Sequence, residues 1–157
     1  MKAAALTICT LFCLNLALLA EPQAMVKPRT DGRVVAMKWL AVVDAGKYRA
    51  SWDLASKTFQ ASVSKTQWVL GMERARRFYG EVLSREFKDS AYAVNPPDFA
   101  PGEYEMVRFK VRLRIQGPAT EAVFMEMKSY GVWQVAGYAI TLKNQVQVLP
   151  LKFLNHR

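Results

Sequence analysis

Residues 104–116 read YEMVRFKVRLRIQ, and no other stretch limits the fold so tightly. Val107, Phe109, Val111, Leu113 and Ile115 alternate with Arg108, Lys110, Arg112 and Arg114. A period of two is that of a β-strand, with one apolar and one cationic face. Such a strand belongs to a sheet that buries one side only. Gly117-Pro118 supplies a turn, Glu121 to Lys128 a second strand, Tyr130-Gly131 another turn and Val132 to Leu142 a third strand. The three form an antiparallel meander. Val82 to Val94 is a further, weaker strand, separated from the first by a loop between Asn95-Pro96-Pro97 and Ala100-Pro101-Gly102. The tail QVQVLPLKFL alternates briefly, but Pro150 confines it to an edge or a loop.

The first half has a different period. From Val34 onward, Met37, Ala41, Ala45, Tyr48, Trp52, Ala55 and Phe59 fall on one face at 100° per residue, with Lys38, Arg49, Asp53 and Lys57 opposite. Trp39, Val43 and Leu54 widen the apolar surface. Ser64-Lys65-Thr66-Gln67 has the form of a capping box, so a second helix starts there. It carries Trp68, Met72, Ala75 and Tyr79 on one face, Arg76 at its border, and Gly80 at its end. Two helices followed by grouped strands predict an α+β domain, the helices packed on one face of a curved antiparallel sheet.

The ends bound the compartment. Lys2 precedes an uncharged apolar run from Ala3 to Ala20, the layout of a secretory signal peptide. Residues 1–20 are therefore expected to be removed, 21–33 to form a linker, 34–142 a single domain and 143–157 a C-terminal tail. Export to the periplasm or beyond follows. Both cysteines, Cys9 and Cys13, lie in the leader, so the mature chain has no disulfide, thiolate nucleophile or cysteine metal site. The only histidine is His156, which argues against a Ser-His-Asp site. No P-loop or dinucleotide fingerprint occurs, and no cofactor or metal is expected. The net charge of +9 suits an anionic partner as well as plain solubility.

Trp39-Leu40, Asp44, Tyr48, Ser51-Trp52, Ala55-Ser56, Phe59, Trp68, Arg76, Gly80 and Ser84-Arg85 form one spaced pattern. Gly131-x-Trp133-x-Val135-x-Gly137-Tyr138-x-Ile140 closes it. The pattern, over roughly residues 35 to 142, resembles a bacterial exported family known as a domain of unknown function (number four-thousand-nineteen). That family in turn resembles the nuclear-transport-factor-two-like and cystatin-like superfamily. The resemblance implies a cone in which helices close over a bent sheet. Relatives of that shape include isomerases, hydratases, dimerisation modules and ligand binders, so a homodimer through the sheet is among the expectations. A shared shape implies no activity.

Two clusters stand out as candidate sites. Asp44 is an acid at the edge of an apolar helix face, and such a group needs a partner. Arg76 is the expected one, with Tyr48 a turn away. Asp44, Tyr48, Trp52 and Arg76 therefore read either as a structural ion pair with its surroundings or as the lining of a pocket. In the second reading Asp44 and Tyr48 would serve an isomerase-like or hydratase-like proton transfer. The stripe Arg108, Lys110, Arg112 and Arg114 reads either as a solvated outer face or as a surface for anionic lipid, glycan or protein. Glu121 or Glu126 on the next strand is expected to offset part of its charge. Aromatic residues are missing from that face, which argues against nucleic acid. A non-catalytic module binding a small ligand or an envelope protein is the reading preferred over the enzyme.

Overall fold

A computed structural model describes residues 31–97, 99–128 and 131–143. The expected signal peptide, linker residues 21–30 and the tail beyond residue 143 lie outside the described residues. Four helices, α1 (Gly32–Asp44), α2 (Tyr48–Leu54), α3 (Lys57–Ser62) and α4 (Lys65–Tyr79), precede four strands. These are β1 (Val82–Val94), β2 (Glu103–Leu113), β3 (Gly117–Lys128) and β4 (Val132–Leu142). The strands pair antiparallel in sequence order, so the sheet is a plain meander and the chain is α+β.

The expectation of two helices is corrected to four, because the long first helix is cut twice. At Gly46 (φ 71°) the backbone turns left-handed. Lys47 N–H donates to Val42 O (3.1 Å) and Gly46 N–H to Val43 O (3.0 Å), the two bonds of a Schellman stop. The second cut is Ser56, extended at ψ 163°, whose hydroxyl accepts from Phe59 N–H and caps α3. Its own N–H donates to Val135 O (2.9 Å), tying the junction to β4. Released from that continuous pattern, α1 rotates its burial. Ala36, Trp39, Leu40 and Val43 face the core, whereas Met37 is largely exposed and Ala41 and Ala45 are on the surface. α4 begins with the capping box of Ser64 and Gln67, both reciprocal bonds present, and ends at Gly80.

The helices bury an aromatic cluster against the sheet. Trp39, Phe59, Trp68 and Tyr138 meet edge to face or tilted, with ring centroids 5.0–6.4 Å apart, Trp39 and Trp68 at 5.9 Å. Both indole N–H groups are satisfied at buried Ser51. Trp39 donates to its carbonyl (2.8 Å) and Trp68 to its hydroxyl (3.0 Å). The sheet supplies Val107, Phe109, Val111, Val123, Met125 and Ile140 from below. The sheet is bent enough that Tyr92 of β1 and Trp133 of β4, its two edge strands, bring their rings within 6.4 Å.

The β2–β3 turn sits earlier than expected. Leu113 pairs with Gly117, leaving Arg114–Gln116 as a three-residue loop closed by Gly117 at φ 72°, a standard hairpin form. Ile115 is therefore at the tip and 60% exposed, not in the core. The tip leans on the α4–β1 junction, where Arg114 N–H donates to Glu81 O (2.8 Å) and Ile115 N–H to Tyr79 O (3.2 Å). Gly80 (φ 78°) permits this approach, since a Cβ there would lie 2.9 Å from the Ile115 nitrogen.

Candidate functional site

The charged groups converge at the end of α1. Asp44, in the last helical position, receives Arg76 of α4 (Nη2 to Oδ1, 2.7 Å). It also receives Arg85 of β1, from Nη1 to Oδ2 at 2.8 Å and from Nη2 to Oδ1 at 3.3 Å. Arg85 turns its Nε to Glu121 of β3 (2.6 Å), and Tyr138 of β4 donates its hydroxyl to the other Glu121 oxygen (2.7 Å). Five elements are joined, and two carboxylates balance two guanidiniums. Exposure falls along the chain of contacts, from 32% for the Asp44 side chain to 10% for Arg85 and 0% for Glu121.

Strand alternation puts Glu121 there. It follows Ala119 and precedes Val123 and Met125 on the buried face, opposite Phe109 and Ile140. A buried carboxylate must be paired, and this one accepts from a guanidinium and a phenol. Burial alone would lower the affinity of Arg85 for its proton. Its hydrogen bonds to Asp44 and Glu121, and their charges, outweigh that and raise it. Burial, then the charge and hydrogen bond of Glu121, push the Tyr138 phenol well above its ordinary range, so it stays a donor.

Asp44 and Arg76 thus meet, but Tyr48 and Trp52 stand apart from them. Tyr48 opens α2, and its carbonyl accepts from Ser51 Oγ (2.9 Å) and Trp68 Nε1 (3.1 Å). Trp52 donates its indole N–H to Val63 O (2.8 Å), with Lys65 4.9 Å above its ring. Neither of the two cavities described next is lined by any of these four residues. The basic stripe has acids on β1 and at the α4–β1 junction rather than on β3. Arg108 makes two bonds to Asp89 (2.5 and 2.9 Å), Arg114 reaches Glu81 (2.7 Å), and Lys110 stands opposite Glu86. Arg112 faces Ser84 and Pro118 across its two neighbouring strands. Glu126 pairs with Lys128 (2.6 Å) and accepts from Thr58 (2.9 Å), away from the stripe.

A cavity of about 350 Å³ opens at the other end of that outer face. Its floor is Ala91, Ala93, Tyr104, Met106 and Phe124, which share the side of the sheet that carries Arg108. Small side chains on β1 leave the room. Residues of the β1–β2 loop, Pro96, Phe99 and Ala100, form a wall. That loop is held by Asn95 (φ 48°), which donates its N–H to Gly102 O and accepts Gly102 N–H at its side-chain oxygen, both 2.8 Å. Tyr104 donates its hydroxyl to Ala100 O (2.9 Å), and its ring lies 5.1 Å from that of Phe99. A second hollow of about 270 Å³ lies between α1, α2 and β4, beside Lys38, Leu54 and Trp133. Among the described residues no three His, Cys, Asp or Glu side chains are grouped to hold a metal. No helix among them is long and apolar enough to cross a membrane.

The alternation TEAVFMEM already showed Glu121 in phase with the apolar residues, which was the signal for its burial. Arg85 and Tyr138 stood among the residues carrying the resemblance, without a role. The cavity had no sequence signal, because alanines and methionines on a strand read as surface or filler.

The architecture defines an α+β protein in which helices cover one face of an antiparallel meander and a balanced charge network closes the joint. Residues 35–138 match the family described as protein of unknown function (DUF4019), and the chain belongs to it. No curated protein matches the chain.

Proposed function

We propose that this chain is an exported cell-envelope protein that binds a small ligand or a partner and catalyses no reaction. We read its shape as the cone of the nuclear-transport-factor-two-like and cystatin-like superfamily. The leader-like residues 1–20 support export, and the bent sheet under a helical layer supports the cone. The observation that carries the non-catalytic reading is the commitment of both Asp44 oxygens to arginines. A general base needs a free lone pair within reach of the substrate proton. Here the carboxylate is shared between two guanidiniums, and the phenol of Tyr48 is no part of the cluster. The arrangement fits a rigid joint, and the separate apolar cavity fits a ligand.

The test is to purify the mature protein from the envelope fraction of a native host and extract it for mass spectrometry. An apolar small molecule recovered near one per chain is expected. Recovery of the chain only in the cytosol, with the leader intact, overturns the export reading. Turnover of a carbonyl or enol substrate that is lost in Asp44→Asn overturns the non-catalytic one.

A further inference from the structure

We propose that the cavity on the outer face of the sheet, between Met106, Phe124 and Phe99, is a binding site for one uncharged apolar small molecule. This rests on the ligand-binding reading above and deepens it by naming the place and the class of ligand. The position matters. Cavities in cone-shaped folds are sought between the helices and the sheet, but here that space is filled by Trp39, Phe59, Trp68 and Tyr138. Of the two cavities described above, the larger lies on the opposite face.

Size sets the first limit. A cavity of 150 Å³ in a protein core holds benzene, so about 350 Å³ takes on the order of fourteen non-hydrogen atoms. That suits one short acyl or isoprenoid segment, or two fused rings with a substituent. It lies within the range of natural small-molecule sites, toward its lower end. The walls suit such a guest. Met106 adapts its shape to a contact, and Phe99, Tyr104 and Phe124 offer ring faces.

Charge sets the second limit. The hydroxyls at the cavity are already spent within the protein. Tyr104 donates to Ala100, and Thr58 donates to Glu126. Of the acids near this end, Glu126 shares the side of the sheet that carries Tyr104 and Phe124, with Lys128 bonded to it, while Glu103 and Glu105 alternate onto the opposite side. The nearest arginine of the stripe, Arg108, is held by two bonds to Asp89. An anionic head group would meet the Glu126 carboxylate at this end and find the Arg108 cation occupied. A neutral guest meets no such penalty.

The experiment uses two dyes with one aromatic skeleton. N-phenyl-1-naphthylamine is neutral, and 8-anilinonaphthalene-1-sulfonate carries a sulfonate. Titration of the mature chain should give saturable, one-to-one fluorescence enhancement with the neutral dye and at least tenfold weaker binding of the sulfonate. Ala91→Phe, which places a ring into the cavity from an exposed strand position, should weaken the neutral dye at least tenfold with an unchanged far-ultraviolet spectrum and melting point. Leu54→Trp, which fills the hollow beside α2, should leave it unchanged. Should Ala91→Phe cost the fold, Phe99→Ser, on the loop wall, must produce the same weakening in a folded chain. Absence of saturable binding by the wild-type chain overturns the site. Loss in Leu54→Trp but not in Ala91→Phe also overturns the site while sparing the ligand-binding reading. Preference for the sulfonate, abolished by Lys110→Gln with Arg112→Gln, overturns the uncharged class in favour of an anionic amphiphile lying along the stripe.

Discussion

Glu121 is the residue on which the charge network depends, because it is the one carboxylate in it with no access to water. Removing Arg85 leaves that charge uncompensated, whereas removing Asp44 leaves Arg85 still bonded to Glu121 and Arg76 partly in solvent. Arg85→Met is therefore expected to cost about 3–5 kcal/mol, and Asp44→Asn clearly less. Urea denaturation of the two variants checks the order. The triple variant Arg85→Met/Glu121→Leu/Tyr138→Phe should recover most of the loss, since apolar groups replace a buried ionic pair and the phenol that donates to it. Equal costs for Arg85→Met and Asp44→Asn would contradict the burial gradient. The joint between Asp44 and Arg76 was legible as a need: an acid near an apolar face, an arginine bordering the facing helix. The rest of the network was not, because it depends on which strands neighbour one another and in what register. Arg85 is thirty-six positions from Glu121 and reaches it across β2.

Among the elements, the glycines separate three physical situations. Gly80 has a left-handed φ and a backbone nitrogen within 2.9 Å of where a Cβ would stand. Gly46 has the same kind of φ with open space around it. Gly71 lies inside α4 with nothing within 4 Å and no such φ. Alanine substitutions should therefore rank in stability. Gly71→Ala gains about 0.5–1 kcal/mol, Gly46→Ala loses about 1–2, and Gly80→Ala loses more than Gly46→Ala. Thermal melts of the three decide it, and a gain at Gly80 would refute the docking of the hairpin tip. The same glycines explain what a period can reveal. The alternation of β2 gave its faces correctly, and the capping box placed α4. The helical stripe from Met37 to Phe59 ran through Gly46 because hydrophobic spacing registers faces and not stops. The break is a property of φ, and only the glycine itself announces it.

For the molecule as a whole, two acids set opposite pH responses. Burial raises the pKa of Glu105, with the nearby Asp31 charge adding to it and a Ser90 hydrogen bond opposing. Its folded pKa exceeds the unfolded one, so its contribution is full at low pH and is lost as pH rises through the folded value. Glu126 goes the other way. Burial would raise it, but hydrogen bonds from Lys128, Ser56 and Thr58 together lower it, so its contribution holds above the unfolded pKa and is lost on acidification. Glu105→Gln is expected to raise the melting temperature at about pH 7 and to lose that gain near pH 3, where the wild-type acid is protonated too. Glu126→Gln should lower the melting temperature at about pH 7, with the deficit shrinking toward the same low pH. Melts of both variants across this range test the signs. The sheet edge also acts at this scale. β1 is interrupted at Leu83 and at Lys88, where the register with β2 slips. Such bulges, one carrying a cation, shorten the regular ladder that this edge offers to another strand.

The two indoles of α1 and α4 lie tilted by 38° with centroids 5.9 Å apart, close enough for their electronic transitions to mix. Their coupled ultraviolet dichroism is a gauge that this molecule carries without a label. It should vanish as soon as α1 and α4 part, even while the meander stays paired. A chain stripped of that signal yet still rich in strand would therefore be a half-opened intermediate, visible by optics alone.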